Sequence, residues 1–525
     1  MRVRHRTAAL ALCAFLAPIA AAQDERAEAV RTEDVRAAED GTLALRIEDA
    51  WQLALERNIG LELETRAREA SRLDALGSWG AFDPVFNLSL SYANGERPQN
   101  NTFVGGGIVT VDVENQRAEA GLTFPFRTGG RLDLSTALDS TSLNSAALGN
   151  EDFNDASISA TFVQPLLRGA WERSATTDQE LARLRLARQE AQWRQTREQL
   201  LLDVHVAYWD LVAALEEVEV RERALALGEE QLRQEIERER VGVGTEVDVL
   251  QAETNVSTRE EELLLARNTV GQREDALKQL VFGPLGEGEG EQRLADWDRE
   301  LVPLTALPTE LEHEDPTVWI ARLDAAFRSR PDLEALRTDV LLAETELVAR
   351  RTARDAQLDL SLGVSSSASD ASTGDAIDTT AGFDFPTYSA GLTYSIPLGN
   401  RSAKYAERSA RVELRRANLA YDQAENRVVA ELRDALRNVS YQARAVRAAT
   451  TSREFAERQL QAEQVRFREG LSTTFQVLEF QQTLTEALSG EQTARANLAK
   501  ARAQLVFAEG RLGESLGAPP GRDEE

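Results

Sequence analysis

Hydrophobic residues recur with two different periods along this chain. In two long segments, at about residues 174–282 and 401–512, apolar and small residues are spaced by three and four, which predicts one face of an α-helix. In the segments 85–163 and 358–396, apolar and polar residues alternate, which predicts strands with one apolar and one polar face. A Gly-led reversal divides each helical segment, so we expect two helical hairpins, each preceded by a group of strands.

The alternating segments divide into strands joined by connections of unequal length. The strands are predicted at residues 85–92, 118–124, 132–138 and 156–163 in the first half, and at 358–366 and 388–396 in the second. The polar stretch 94–115 predicts a long loop, whereas Thr128-Gly129-Gly130 predicts a tight turn. Long loops that alternate with short turns are typical of transmembrane barrels of the outer membrane. The pattern leaves open whether the hairpin at 118–138 joins the other strands, for six in all, or lies outside them, for four.

The two halves repeat the same landmarks in the same order. At the reversals, Gly242-Val-Gly-Thr-Glu-Val-Asp-Val-Leu250 matches Gly470-Leu-Ser-Thr-Thr-Phe-Gln-Val-Leu478. Before the hairpins, Thr161-Phe-Val-Gln-Pro-Leu166 matches Thr393-Tyr-Ser-Ile-Pro-Leu398. The chain is therefore predicted to be an internal duplication.

The duplication divides the chain into units. We expect a signal peptide at 1–22, a flexible acidic lead at 23–45, a first repeat at 46–283, a connector at 284–317, a second repeat at 318–513 and a C-terminal tail at 514–525. Within each repeat a helix comes first, the strands follow, and the long hairpin comes last. The connector is rich in Gly, Pro and acidic residues, which interrupts both periods.

The N-terminal sequence predicts export from the cytoplasm, and the overall composition argues against several kinds of chemistry. Residues 1–22 have a basic start, an apolar stretch and Ala20-Ala21-Ala22, the pattern of a cleaved secretory signal. The one cysteine, Cys13, falls in that segment, so we expect a mature protein without disulfides. The net charge of −28 argues against nucleic acid as a partner, because phosphate binding needs a basic surface. The three His are far apart in sequence and form no metal-binding motif, so we expect no metal, no cofactor and no catalysis.

The ordered landmarks resemble the TolC family of outer-membrane efflux and secretion channels. The residues that carry the resemblance are Ala50-Trp-Gln-Leu-Ala-Leu-Glu-Arg-Asn58, Arg330-Pro-Asp-Leu333, Gln164-Pro-Leu166 and the two Gly-led reversals. The resemblance implies an α+β membrane protein, in which duplicated helical hairpins form a periplasmic α-barrel with an equatorial connector. Its strands would contribute to a transmembrane β-barrel shared by a homotrimer. The family usually has four strands per subunit, so six would be a departure.

The resemblance also implies a location and partners. The protein is expected in the outer membrane, in contact with lipid and with a large periplasmic part, as a passive exit duct of a tripartite efflux or type I secretion system. An inner-membrane pump of the RND, ABC or MFS type would supply the energy, and a periplasmic adaptor protein would open the duct at its tip. Two alternatives are an adaptor, which would have a single hairpin flanked by β-domains, and an exported structural coiled coil, which would not need the strands. The transported substrate is left open.

The same resemblance assigns roles to residues around the reversals. Asp248 falls at a position that the family uses in a closing network between tip helices. The constriction carboxylates of the second half fall on Gln476 and Glu479, so one of the two is missing here. Three copies of Glu479 around an axis would form an acidic ring that attracts cations. The alternative is that Asp248 and Glu479 are solvated carboxylates on a helix surface. Adaptor contacts are expected at six residues, of which Ser472 stands where the family has a tip arginine: Gly242, Val243, Gly244, Gly470, Leu471 and Ser472.

Overall fold

A computed structural model describes residues 42–100, 108–145, 149–283, 297–307 and 316–515. The predicted signal peptide, nearly all of the acidic lead, much of the connector and the end of the tail lie outside the described residues. The helices are α1 (Ile47–Arg57), α2 (Ile59–Gly77), α3 (Glu172–Ala175), α4 (Thr177–Arg240), α5 (Glu246–Val281), α6 (Trp319–Ser329), α7 (Pro331–Thr352), α8 (Thr373–Ala381), α9 (Arg401–Arg468), α10 (Thr474–Ala508) and α11 (Leu512–Ser515). The strands are β1 (Thr42–Leu45), β2 (Val85–Asn100), β3 (Ile108–Pro125), β4 (Arg131–Ser145), β5 (Gly149–Pro165), β6 (Glu300–Pro303), β7 (Gln357–Asp370) and β8 (Pro386–Ser395).

The two predicted helical hairpins are confirmed as α4–α5 and α9–α10. Helix α4 has 64 residues and α9 has 68, so each is about 100 Å long at the rise of an α-helix. The reversals lie between Arg240 and Glu246 and between Arg468 and Thr474. None of the described helices is both long and apolar enough to cross a membrane.

The helix that opens each repeat is interrupted, which the sequence did not predict. In the first repeat, Asn58 ends α1 and caps α2, because its side chain accepts a hydrogen bond from the Leu61 amide (3.1 Å). The same side chain donates to the Leu280 carbonyl (3.0 Å), which attaches this corner to α5. In the second repeat, Pro331 is the first residue of α7, a position where the missing N–H costs no helical hydrogen bond.

The strands form one antiparallel sheet in the order β2-β3-β4-β5-β7-β8. The hairpin at 118–138 is therefore part of the sheet, which settles the open question in favour of six strands per chain. The predicted loop at 94–115 is wrong over most of its length, because β2 continues to Asn100 and β3 begins at Ile108. Glu96 of β2 pairs with Asp112 of β3. Residues 94–100 of β2 have polar residues on both faces, so this part of the strand gives no alternating signal. The stretch between the two strands predicted in the second half contains helix α8, which packs against β5 and β7.

The largest core cluster lies where the two repeats meet. It includes Leu45, Trp51, Leu201 and Tyr208, all buried. Residues 42–45, predicted as part of the flexible lead, instead form β1, which pairs in parallel with β6 of the connector. The alternation in Thr-Leu-Ala-Leu explains this, because it buries two leucines on one side. The Tyr208 hydroxyl donates to the Leu45 carbonyl (3.1 Å), which fixes β1 to α4.

His205 belongs to this core. Its ring stacks on Trp51 (centroids 5.7 Å apart) and meets Trp209 edge-on (6.2 Å). Burial lowers the pKa of His205 to about 4, so the imidazole is neutral at neutral pH. Its surroundings are those of a packed aromatic residue rather than of a metal ligand.

Candidate functional site at the helical tips

Both reversals are built in the same way. Gly242 and Gly470 have φ angles of 76° and 77°, in the left-handed region that favours glycine after a helix. Thr245 and Thr473 then cap α5 and α10, and each accepts a hydrogen bond from the amide three residues later. The predicted equivalence of the two reversals is confirmed at the level of the backbone.

Asp248 and Gln476, both predicted to belong to the gate, complete these caps. The Asp248 carboxylate accepts hydrogen bonds from the Thr245 amide (3.1 Å) and hydroxyl (2.6 Å), and Gln476 Oε1 accepts from the Thr473 amide (3.4 Å). Hydrogen bonds from Thr245 lower the pKa of Asp248, helped by Thr474 and by the positive charge of Arg238, although partial burial opposes the shift. Both side chains therefore have a local role within their own helix, and Asp248 also lies close to the second hairpin.

Glu479 lies in the second turn of α10, six residues after the capping Thr473. Its side chain is exposed. This position leaves the carboxylate free to face solvent or a neighbouring chain.

Two buried glutamates near the tips were missed from the sequence. They belong to a repeated pattern, Gln-Leu-x-x-Glu-x-x-Arg-x-Arg-x-Gly, at residues 231–242 and 459–470. The glutamates are Glu235 and Glu463, which are 1% and 4% exposed. The pattern could have been found by extending the alignment of the two reversals towards the N-terminus. Acidic residues on a long helix usually mark a solvated face, so residue type alone gives no reason to expect burial at these two positions.

In the second repeat, the buried glutamate is satisfied within its own hairpin. Glu463 accepts a hydrogen bond from the hydroxyl of Ser472 and pairs with Arg466 (3.1 Å), which lies one turn further along α9. The hydroxyl of Ser472 comes from the reversal itself. The carboxylate therefore fixes the reversal to the end of α9.

In the first repeat, Gly244 occupies the position of Ser472 and has no hydroxyl to offer. A Cβ at Gly244 would lie 3.0 Å from the backbone nitrogen of Glu239, so the chain passes too close here for a serine without movement. Glu235 instead accepts a hydrogen bond from Thr474 (3.0 Å), which belongs to the second hairpin. The repeats thus differ at the positions of Ser472 and Thr474, and this difference accompanies a hydrogen bond between the hairpins.

Further contacts reinforce this link. Gln231 donates to the same Glu235 oxygen (2.6 Å), and Arg238 lies 3.6 Å from the other oxygen. The Arg238 guanidinium also covers the ring of Phe467, at 4.3 Å from its centre, on the second hairpin. We call Glu235, Arg238, Phe467 and Thr474 the cross-hairpin cluster. Its ion pair is long, and within the described structure Glu235 Oε2 and Arg238 Nε have no hydrogen-bond partner.

A second contact joins the hairpins further from the tips. Arg259 of α5 is only 2% exposed, and it donates to the Ala224 carbonyl (2.6 Å) and to Gln481 of α10 (3.4 Å). Gly228 makes room for it, because a Cβ there would lie 3.0 Å from Arg259 Cδ. The guanidinium therefore packs between the hairpins.

The tips also expose apolar side chains at equivalent positions of the two repeats. Val243 and Leu471 are 71% and 69% exposed, and Val247 and Phe475 are 61% and 63% exposed. Each hairpin thus presents a pair of apolar residues one turn apart. Such paired apolar side chains are suited to contact with another protein.

Comparisons with known proteins agree with this architecture. The family model of the outer membrane efflux protein matches residues 52–281 and 323–511. Among solved structures, the fold is similar to the outer-membrane channel OprN, with 16% identity, a TM-score of 0.65, and coverage of 88% of this chain and 89% of that one. It is similar to the CmeC outer membrane channel of Campylobacter jejuni, with 16% identity, a TM-score of 0.65, and coverage of 89% and 86%. It is also similar to the outer membrane protein VceC of Vibrio cholerae, with 16% identity, a TM-score of 0.62, and coverage of 88% and 96%. No curated protein matches the sequence.

The matched residues include both helical hairpins and all six strands of the sheet. This excludes the two alternatives considered from the sequence, a periplasmic adaptor and an exported coiled coil. The molecule is an exit duct of the outer membrane with a large periplasmic helical part, and its relatives are channels rather than enzymes. The chain belongs to the outer membrane efflux protein family.

Proposed function

We propose that three copies of this chain form one duct, which is closed at its periplasmic tips at rest and is opened by an adaptor protein. The observation that carries this proposal is the cross-hairpin cluster, in which Thr474 of the second hairpin donates to the buried Glu235 of the first. Such a contact holds the two hairpins in one arrangement. Opening the tips would separate them.

The need for several copies follows from the sheet. Both edge strands, β2 and β8, have one unpaired side among the described residues. Backbone N–H and C=O groups in the hydrocarbon region of a membrane must be paired, so a sheet there has to close on itself. Neighbouring copies supply the missing partners, and three copies are what the family resemblance implies.

The strength of the closing contacts is suited to reversible gating. Leaving a buried hydrogen-bonding group unsatisfied costs about 1–3 kcal/mol. Over three copies, breaking the Thr474–Glu235 bond would therefore cost roughly 3–9 kcal/mol. An adaptor that binds with micromolar affinity gains about 8 kcal/mol, so the binding energy of an ordinary protein complex is of the same size as this cost.

The adaptor would contact the exposed apolar residues of both tips. Val243 and Leu471 occupy equivalent places in the two reversals, so one adaptor hairpin shape would fit both. An inner-membrane pump of the RND, ABC or MFS type would drive transport, since the duct itself is passive. The transported substrate would be selected by these partners.

In-cell photo-cross-linking tests the adaptor contact. A photoreactive phenylalanine analogue replaces Leu471, and the matched control replaces Leu264, which is 66% exposed on α5 away from the reversals. We expect Leu471 to give an adduct with a periplasmic protein that carries a helical hairpin, as identified by mass spectrometry, and Leu264 to give none. Properly assembled protein without an adduct at Leu471 would contradict the proposal.

A further inference from the structure

We propose that β8 of each chain pairs with β2 of the next, so that three copies of the six-stranded sheet close into one eighteen-stranded barrel. This inference rests on the proposed trimer and goes beyond it, because it fixes the strand number, the seam between chains and the width of the membrane end. The direction of the strands allows the closure. With an even number of antiparallel strands, β8 runs opposite to β2, so the new pair is antiparallel as well.

The sheet carries one continuous apolar face from edge to edge. Even-numbered residues supply it in every ladder, as in the pairs Phe86–Leu122, Leu132–Phe162 and Leu360–Leu392. The opposite face is polar, as in the pair Ser135–Ser159, whose hydroxyls are 2.7 Å apart. At both edges the apolar residues remain strongly exposed, at 73% for Leu90 and 79% for Tyr388. The apolar face therefore extends to both edge strands, where it would continue onto the sheet of a neighbouring chain.

The stagger of the strands matches the tilt that a closed barrel needs. The ladders connect Val85, the first residue of β2, through Thr123, Asp133, Thr161 and Gly363 to Ser389 in β8. Beyond that level, β8 continues to Ser395. The strand ends nearest the helices therefore shift along the strand direction by about six residues from β2 to β8, or about one residue per strand. That ratio accompanies a tilt of about 36° in the eight-stranded barrel of triose-phosphate-isomerase type, within the usual 35–45° for barrels.

The stagger also predicts the register of the seam. If the strand ends stay level, Ser395 of one chain lies opposite Val85 of the next. The seam then places Leu392 opposite Leu88, Tyr394 opposite Phe86 and Tyr388 opposite Tyr92. Every one of these pairs joins apolar side chains on the apolar face, and two of the pairs are aromatic, which favours cross-strand contact.

The consequence is a wide membrane end. Eighteen strands spaced by about 4.8 Å and tilted by about 36° give a backbone diameter of about 34 Å, against about 23 Å for twelve strands. Barrels of 16–18 strands leave an aqueous channel. The outer-membrane end would thus admit larger solutes than a twelve-stranded barrel.

Paired cysteines test the seam. The one native cysteine is Cys13, so the double variant Leu88→Cys, Leu392→Cys introduces a defined pair of cysteines. The control is the double variant Leu88→Cys, Leu362→Cys, because Leu362 lies on the inner strand β7. We expect oxidation to link chains covalently in the first variant and not in the control. If β2 and β3 lay outside the wall, β8 would meet β4 instead, and linkage of Leu392→Cys with Leu134→Cys would overturn the inference.

The mass and the width of the assembled protein separate the two proposals. A native molecular mass that is not that of a trimer would contradict the proposed function itself. If the trimer forms but Leu88→Cys and Leu392→Cys do not link, only the eighteen-stranded barrel fails. Electron microscopy of the unmodified protein gives an independent answer, since a barrel of about 34 Å supports the inference and one of about 23 Å overturns it.

Discussion

Two hydroxyl groups at neighbouring positions, Ser472 and Thr474, determine how the two buried tip glutamates are satisfied. Ser472 serves Glu463 within its own hairpin, whereas Thr474 serves Glu235 across the hairpins. The first repeat has Gly244 and Glu246 at the equivalent positions, so it supplies neither hydroxyl. The repeats are thus equivalent in backbone but not in hydrogen bonding, and the link between hairpins depends on this difference.

Removing the Thr474 hydroxyl should loosen the tips. Thr474→Val keeps the shape but leaves the buried Glu235 oxygen with one donor fewer, at a cost of about 1–3 kcal/mol. For each copy of the chain, the population of the open arrangement would rise by roughly 5- to 150-fold. The measurement is resting conductance in planar bilayers. Thr474→Ser, which keeps the hydroxyl, should have the same resting conductance as the unchanged protein. Equal conductance of the unchanged protein and both variants would mean that the Thr474 hydroxyl does not hold the tips closed.

The sequence predicted the long helices and the order of elements well, because their period persists over many turns. It failed where a signal is short or local. β1 has only four residues, and each helix break depends on a single residue, the capping Asn58 in the first repeat and Pro331 in the second. The outer end of β2, residues 94–100, has polar residues on both faces, so only its pairing with β3 identifies it as a strand. The buried glutamates could not be recognised by residue type, since burial of a carboxylate depends on partners from another element.

Adding a methyl group should destabilise the first reversal but stabilise the interior of a helix. Gly244→Ala places a Cβ 3.0 Å from the Glu239 backbone nitrogen, so we expect a local destabilisation of about 1–3 kcal/mol. Gly271→Ala is the control within the same hairpin, because a Cβ there meets nothing within 4 Å. It should stabilise α5 by about 0.5–1 kcal/mol. Hydrogen exchange of the amides at the tip and around Gly271 measures the two effects, and unchanged protection of the tip in Gly244→Ala would contradict the packing described for Gly244.

At the scale of the whole molecule, the chain of this exit duct carries a strong negative charge. The chain carries a net charge of −28, and the polar face of its sheet contains acidic residues such as Asp133 and Asp359. A channel lined by one sign of charge concentrates ions of the opposite sign. In the proposed trimer, each exposed carboxylate near the axis would occur three times at the same height.

Glu479 is the residue at which this charge should matter most. In the proposed trimer its exposed carboxylate would form a ring at the periplasmic mouth, so Glu479→Gln removes three charges without changing side-chain size. A cation beside one carboxylate gains about 1 kcal/mol in water, so we expect cation-over-anion selectivity to fall by roughly fivefold. Reversal potentials in asymmetric KCl measure it, with Glu230→Gln on the exposed surface of α4 as the control. Equal selectivity of the two variants would mean that Glu479 is a solvated surface carboxylate, and the constriction would then have to be formed by other residues.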